Sequence, residues 1–210
     1  MLDQSKTTQG VHDDLQSLEP KARFELLAHA RLREHRRGTH LETREEPAAD
    51  TALHIVSSGL VALMAHDPDP RPLALYHSGQ VISPIREGER WTLTALAASH
   101  VHHLSADHME ELEGTKWFQR WRAEVSEAAL RRSLALAAAS GKPDASARIL
   151  SLVRAIGLPG GVEGEFGWPF TQAQLAALAG MSRAHLNAQL AALRRDGRLS
   201  IKDGVASIRP

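Results

Sequence analysis

The sequence predicts an α+β protein: an N-terminal β-roll, a long helix and a C-terminal winged helix-turn-helix. Short apolar runs separated by turn residues fill residues 41–104, a pattern typical of a small roll or sandwich. A stretch without Gly or Pro from Thr115 to Ala139 favours one long helix. Helix caps, a turn glycine and a hairpin signal agree within Thr171–Pro210. We therefore expect boundaries at 15–112 for the roll, 113–140 for the long helix and 141–210 for the C-terminal domain.

Composition limits the kinds of protein that this chain can be. Its 210 residues contain 42% hydrophobic and 24% charged side chains, so a packed globular protein is expected. The absence of cysteine excludes disulfides, thiolate-ligated zinc and cysteine-ligated iron–sulfur clusters. The polar segment Met1–Asp14 does not resemble a signal peptide, and the sequence has no apolar run long enough to span a membrane. We expect a cytoplasmic protein.

The first half of the chain is predicted to be a helical entry followed by short strands. Leu15–Ala30 suggests short helical pieces with Pro20 in a first turn. Beyond it, turn-forming pairs such as Ser78-Gly79 separate apolar runs that are too short for helices. The expected strands are Leu53–Val56, Leu60–Ala65, Leu73–Tyr76, Val81–Ile82 and Trp91–Leu104.

The long helix is expected to start after Thr115 as its N-cap and to stop at Gly141, which Pro143 follows. Two apolar stripes run along it, one suited to its own domain and one to a second copy of the chain. A helix buried wholly within one chain is the alternative. The residues predicted for dimerisation are Phe118, Trp121, Val125, Ala128, Leu130 and Leu134.

Local signals in the C-terminal segment agree on a helix-turn-helix. Thr171 and Gln174 form a capping box at the start of a helix that Gly180 can end with a left-handed turn. Ser182 then caps a second helix, in which Leu186 and the leucines that follow at helical spacing face inward. This is the geometry that places the start of a second helix in the DNA major groove.

A hairpin and a basic excess complete the DNA-binding pattern. Leu199–Lys202 and Val205–Ile208 are expected to pair as a wing across the turn Asp203-Gly204. From Thr171 to the end, six Lys and Arg stand against two Asp, a net +4 on a chain of zero net charge. We predict contacts with double-stranded DNA from Thr171, Gln172, Ser182, Arg183, Ala184, His185, Asn187, Ala188 and Lys202.

Five short segments follow the pattern of one known family. Gly38–Leu41, His54–Leu63 and Ser78–Ile82 look like the glycine-punctuated strands of its β-roll. Ala147–Leu150 opens the C-terminal domain in family style, and Gly180–Arg183 matches its turn into the recognition helix. With these segments, the chain resembles the Crp/Fnr family, that of the cyclic-AMP receptor protein and the fumarate-nitrate reduction regulator, from about Leu15 to its C-terminus. The resemblance implies a cyclic-nucleotide-binding-like sensor, a homodimer on a pseudo-palindromic operator, and RNA polymerase as a further partner.

The resemblance also assigns roles within the predicted DNA-binding surface. Arg183 stands where the family has a base-reading arginine, so we expect it to bind guanine in the major groove. Two other base-contact positions of the family hold Ala184 and Ala188, and the operator of the cyclic-AMP receptor protein is therefore not expected. Asn187 and His185 are alternative readers. The positions expected near phosphates are Gln172, Ser182 and Lys202.

The effector cassette of the family is not preserved in this sequence. Cyclic-nucleotide binders hold the phosphate with the amides of a short helix and an arginine. Here Pro84 replaces the ribose-binding glutamate, and the segment is too short for the cassette helix. We expect no response to cyclic AMP. The degenerate cassette comprises Ser83, Pro84, Arg86, Arg90 and Trp91.

Twelve histidines leave a haem- or metal-responsive regulator open as an alternative. His100 and His102 share one face of a predicted strand and His103 lies on the other; with His77 they are the candidate ligands. A cupin-like metalloenzyme using His100, His102 and Asp107 is a further alternative, but it leaves the C-terminal domain unexplained. A constitutive regulator, with the roll as a dimer scaffold, is the third. The sequence requires no cofactor, and we expect no enzyme.

Overall fold

The protein is a β-roll with a helical layer and a C-terminal helical domain, and it has the α+β fold class that the sequence predicts. The computed structural model describes residues 14–41, 51–65, 72–82, 91–156, 165–167, 171–202 and 205–208. The roll region contains α1 (Pro20–Leu27), β1 (Arg31–His35), β2 (Thr51–Ser58), β3 (Leu60–Ala65), β4 (Pro72–His77), β5 (Val81–Ile82), β6 (Trp91–Ala95) and β7 (Ser99–Ser105). The remaining elements are α2 (Ala106–Glu113), α3 (Lys116–Ser140), α4 (Ala145–Ile156), β8 (Glu165–Gly167), α5 (Gln172–Leu178), α6 (Arg183–Arg195), β9 (Leu199–Lys202) and β10 (Val205–Ile208).

Two antiparallel sheets enclose the interior of the roll. Sheet A has the strand order β1-β7-β2-β5, and sheet B has the order β4-β3-β6. Residues from both sheets form one buried apolar cluster, so the two sheets pack face to face. Its buried members are Leu41, Val56, Val61, Ile82, Leu93, Ala95 and Val101.

The chain passes from sheet A to sheet B at Gly59. Its φ is +92°, and a Cβ there would lie 2.3 Å from the Ser99 hydroxyl oxygen and 2.4 Å from the Ala98 carbonyl oxygen. The Ser99 hydroxyl accepts a 3.1 Å hydrogen bond from the amide of Leu60, the next residue. Only glycine fits this conformation and this spacing without displacing the neighbouring backbone.

Helices cover the other face of sheet A. A second apolar cluster joins residues of β2, β5 and β7 to α1, α2 and the first half of α3. The largest α3 members, Phe118 and Trp121, are almost fully buried there. The cluster comprises Leu18, Leu26, Leu53, Ile55, Val81, Leu104, Met109, Leu112, Phe118, Trp121 and Val125.

Asp14 fastens α3 to the roll. Its buried carboxylate accepts the Val81 amide at 3.0 Å and both terminal nitrogens of Arg132 at 3.0 and 3.1 Å. Its carbonyl oxygen accepts the Trp121 indole N–H at 2.8 Å. One residue thus holds strand β5 and two separate turns of α3 in a fixed relation.

The C-terminal domain packs on the outer face of sheet B. Leu60, Ala62 and Leu96 of the roll belong to the same buried cluster as the inner residues of α4, α5 and α6. The cluster also contains Ala139 from the last turn of α3 and Leu199 from β9. Because this cluster is continuous and apolar, it fixes the C-terminal domain against the roll.

Several boundaries differ from the sequence predictions. A single strand over Trp91–Leu104 was wrong, because the chain turns after β6: the amides of Leu96 and Ala97 both donate to the Leu60 carbonyl. Thr115 precedes α3 as predicted, but its hydroxyl donates to the Leu112 carbonyl at 2.7 Å rather than capping α3. Strands β1 and β8 were not predicted.

The described part of the chain contains no helix with the length and hydropathy needed to cross a membrane.

Candidate nucleic-acid interface

The helix-turn-helix forms at the predicted residues. The Thr171 hydroxyl accepts the Gln174 amide at 3.2 Å while the Gln174 side-chain oxygen accepts the Thr171 amide at 2.9 Å, so the capping box is confirmed. Gly180 takes a φ of +59°, the left-handed turn that the sequence predicts. The next amide, of Met181, donates back to the Ala176 carbonyl at 3.0 Å. These local bonds fix the angle between α5 and α6.

Helix α6 buries one face and exposes the other. The Ser182 hydroxyl caps it by accepting the His185 amide at 3.2 Å. The predicted inward leucines, Leu186, Leu190 and Leu193, are buried. Its first turns expose the side chains predicted to meet the bases, namely Arg183, Ala184, His185, Asn187 and Ala188.

Side-chain hydrogen bonds organise this exposed surface. The Arg183 Nε donates to the Gln172 side-chain oxygen at 3.4 Å, a bond between α6 and α5. The Ser146 hydroxyl at the start of α4 donates to the Gln189 side-chain oxygen at 2.8 Å, and the Gln189 amide nitrogen lies 3.3 Å from His185 Nε2. The Ser146–Gln189 contact was not predicted, since it joins helices that are distant in sequence.

The wing is a three-stranded sheet of order β8-β10-β9. Strands β9 and β10 pair in the predicted hairpin register, with Lys202 opposite Val205, and the turn Asp203-Gly204 lies outside the described residues. Strand β8 adds to the far side of β10, with Glu165 opposite Ser207. Lys202 is exposed at the end of β9, a position where it can meet a phosphate.

The structure separates the six residues predicted for dimerisation into two groups. Phe118, Trp121, Val125 and Ala128 are buried in the chain itself and have no surface to offer a partner. Leu130 and Leu134 are 59% and 60% exposed on the second half of α3. Of the six residues, these two are the ones that can contact a second chain.

The candidate metal ligands do not come together as the sequence suggested. Within the described residues, no three His, Asp or Glu side chains are grouped so as to hold a metal ion, and this applies to His77, His100, His102, His103 and Asp107. The cassette residues Ser83, Pro84, Arg86 and Arg90 lie outside the described residues, while Trp91 is half-buried at the start of β6.

His103 instead joins two histidines that the sequence did not single out. Its Nε2 lies 3.1 Å from His35 Nε2 and its Nδ1 lies 3.2 Å from His54 Nδ1, so three imidazoles form a hydrogen-bonded row across β1, β7 and β2. Both His103 nitrogens are engaged on opposite sides of the ring, which does not suit one shared metal ion. The signal that could have found this cluster is the strand register, with His54 opposite His103.

Burial dominates the protonation of this histidine row. Burial, and then the neighbouring His54, His35, Arg33 and His102, together lower the pKa of His103 to about 3. Burial, then His54 and Arg33, lower the pKa of His35 as well. His103 and His35 are therefore neutral near pH 7.

Comparison with known proteins identifies the C-terminal domain. Residues 146–209 match the Crp-like helix-turn-helix domain. No curated protein matches the chain.

Solved structures resemble the chain over most of its length. FixK2 from Bradyrhizobium japonicum is 18% identical, with a TM-score of 0.69 over 86% of this chain and 93% of that protein. The c-di-GMP-responsive global regulator CLP from Xanthomonas campestris is 19% identical, with a TM-score of 0.67 over 91% and 100%. TTHB099, a CRP-family transcriptional regulator from Thermus thermophilus, is 20% identical, with a TM-score of 0.64 over 84% and 91%.

The family match therefore identifies residues 146–209 as a Crp-like helix-turn-helix domain, and the chain has the fold of the solved transcription regulators CLP and TTHB099.

Proposed function

We propose that this protein is a homodimeric transcription regulator that binds a pseudo-palindromic operator and does not respond to cyclic AMP. The observation that carries the proposal is the exposed first turn of α6, where Arg183 and its neighbours face solvent beside a formed wing. The start of a recognition helix is the part that contacts base edges in this motif.

The side-chain chemistry of this surface determines which residues contact bases and which contact phosphates. A guanidinium can form two parallel hydrogen bonds with guanine O6 and N7, so Arg183 reads the base. Asn187 and His185 read neighbouring bases, whereas Ala184 and Ala188 offer only methyl groups. Contacts to phosphates, which hold the register, come from Thr171, Gln172, Ser182 and Lys202.

Dimerisation uses the second half of α3. Two leucines exposed to about the same extent, Leu130 and Leu134, lie one turn apart on the helix, and this is an uncommon arrangement on the surface of a monomer. Exposed alanines such as Ala123 and Ala137 lie on the same side and allow close packing of a second helix. The two recognition helices of such a dimer would lie about 34 Å apart, one turn of DNA.

The sequence of the sensor favours a domain that does not bind cyclic nucleotides. Pro84 stands in the place of the ribose-binding glutamate, and the sequence of this segment is too short for the cassette helix whose amides would share an anionic phosphate with an arginine. A haem or metal effector is not favoured, because His103, His100 and His77 each bond to another side chain of the protein. The proposal also includes a contact with RNA polymerase and a location in the cytoplasm.

The proposal is tested by incubating the purified protein with random genomic fragments and sequencing the fragments that it retains. Retained fragments should share an inverted repeat with half-sites centred one helical turn apart, and light scattering should show a dimer at micromolar concentration. A monomer that binds single half-sites would contradict the dimer. Retention of fragments without a common sequence would contradict specific recognition.

A further inference from the structure

Arg148 connects two parts of the chain that are distant in sequence. It lies in α4, and its guanidinium donates three hydrogen bonds to backbone carbonyl oxygens. Two acceptors belong to the hinge, residues 141–144 between α3 and α4: Lys142 at 2.7 Å and Pro143 at 3.2 Å. The third is Ala179 at 2.9 Å, the C-cap of α5 in the helix-turn-helix turn.

Each of these carbonyls suits a cation. Ala179 ends a helix, where backbone carbonyls lack helical partners and the helix dipole is negative. The two hinge carbonyls follow the last turn of α3, which has the same polarity. The planar fork of an arginine can bond three carbonyls in fixed directions, whereas a lysine ammonium cannot reproduce that geometry.

Other contacts also hold the hinge. The Gly141 amide donates to the Ala137 carbonyl at 3.0 Å, and Ala139 shares a buried apolar cluster with Ile149 of α4. Gly141 and Pro143 lie within it, and its side-chain bond in the described structure is the Asp144 carboxylate capping the Ala147 amide. The Arg148 bonds add a direct link from the hinge backbone to the turn of the helix-turn-helix, and they thereby restrict the direction in which this motif leaves α3.

We infer that Arg148 is a positioning residue that fixes the recognition helix relative to the dimerisation helix, and thereby the half-site spacing that the dimer accepts. This inference rests on the proposed dimeric operator binding. It assigns Arg148 no contact with DNA. In a dimer, a rigid link makes the separation of the two recognition helices a fixed length, and one inserted base pair rotates a half-site by about 35°.

Two measurements test the inference on the full chain. The first compares operators whose half-site spacing is changed by one or two base pairs. The unsubstituted protein should discriminate strongly between spacings. Arg148→Ala should lose about tenfold in affinity for the best spacing and should lose most of the discrimination. Its affinity for a single half-site should not change.

The second measurement does not involve DNA. Because the chain has no cysteine, spin labels can be placed on cysteines introduced at the exposed positions Ser126 in α3 and Ala191 in α6. Labelled chains are diluted with unlabelled chains so that the distances measured lie within one chain. Arg148→Ala should broaden the narrow distance distribution of the unsubstituted protein.

Two variants serve as controls. Arg154→Ala removes the same charge from an exposed position on the same helix and should leave both measurements unchanged. Arg148→Lys keeps the positive charge but lacks the planar guanidinium, so it should behave like Arg148→Ala. If the alanine variant does not fold, the lysine variant is used for both measurements.

An unchanged distance distribution in Arg148→Ala and Arg148→Lys would overturn the inference. Failure of the unsubstituted chain to bind any operator would overturn the proposed function instead, and the distance measurement would still decide the role of Arg148.

Discussion

The exposed side chain of Arg183 has one guanidinium nitrogen in a hydrogen bond within the protein. Its Nε bonds to Gln172, so the terminal nitrogens are the pair that can meet guanine O6 and N7. Arg183→Ala should cost about 1–3 kcal/mol of operator binding free energy and relax the preference at one base pair in each half-site. Titration of the variant against operators with single-base changes measures both effects.

Lys202→Ala is the matched comparison for that prediction. It removes a positive charge from the wing, so it should weaken binding to all sequences alike and lower the slope of log affinity against log salt by about one. If Arg183→Ala also weakens all sequences equally, then Arg183 is a phosphate contact and the assignment of the base-reading surface is wrong.

Gly59 allows a second residue-scale prediction. Gly59→Ala places a Cβ within 2.4 Å of the Ala98 carbonyl oxygen, a backbone atom that cannot move without opening the roll. The expected loss is at least about 2 kcal/mol of unfolding free energy, measured by urea denaturation. Gly38→Ala is the control, because Gly38 has a similar φ of +86° but nothing within 4 Å of a Cβ. It should lose only about 1 kcal/mol. Equal losses would contradict the steric argument.

The histidine row makes stability depend on pH. The pKa of His103 is about 3 in the folded protein and about 6.5 in the unfolded chain. The unfolded chain therefore binds more protons between these values, and stability that is complete above pH 6.5 falls as the pH is lowered toward 3.

Each proton taken up on unfolding contributes a slope of about 1.4 kcal/mol per pH unit at most. Urea midpoints at several pH values between 7.5 and 5 measure this slope. His103→Gln should reduce it, and the same slope in the variant would show that other groups cause the acid sensitivity.

At the scale of elements, α3 has two halves with different surroundings. The first half completes the core of the roll, and the second half leaves Leu130 and Leu134 exposed. Leu130→Glu with Leu134→Glu should turn the dimer into a folded monomer, because the charges would lie in a close helix contact. Sedimentation velocity measures the change.

A control with the same chemistry is available on β1. Leu32 is 54% exposed on an edge strand of sheet A, and Leu32→Glu should leave the dimer intact. If the Leu130→Glu, Leu134→Glu double variant and the Leu32→Glu variant both dissociate, or if neither does, the placement of the interface on α3 is contradicted.

The elements that could be predicted from sequence are those whose signals are local. The capping box at Thr171, the turn at Gly180 and the cap at Ser182 each involve residues within a few positions of one another, and all three are confirmed. Strand β1 has a single apolar residue, Leu32, which is itself exposed, so its sequence shows no alternation of apolar and polar residues. It was missed for that reason.

The same distinction applies to sites. The exposed face of α6 follows from helical spacing alone. The row of His35, His54 and His103, and the three bonds of Arg148, depend on which strands and helices become neighbours. Strand register and helix packing depend on the tertiary structure, so the residue pattern of a single segment does not predict them.

At the scale of the whole molecule, we propose a sensor that acts without the cyclic-nucleotide cassette of Crp/Fnr regulators. Pro84 and the shortened segment around it predict that cyclic AMP does not bind at micromolar concentration. Titration calorimetry measures binding, and operator affinity with and without cyclic AMP measures response. Micromolar binding that also tightens the operator complex would show that the interpretation of Ser83–Trp91 is wrong.

The apolar cluster shared by sheet B and the C-terminal domain limits the domain exchanges by which this architecture can evolve. Leu60, Ala62 and Leu96 are buried by a domain that comes later in the chain. A recombinant that received a different C-terminal domain would expose them, and exposed apolar patches of this kind favour aggregation. The outer face of sheet B and the inner face of the DNA-binding domain must therefore be inherited together. We expect substitutions at Leu60 and Leu96 to be accompanied, in descendants of this chain, by changes in α4 and α5 rather than in the rest of the roll.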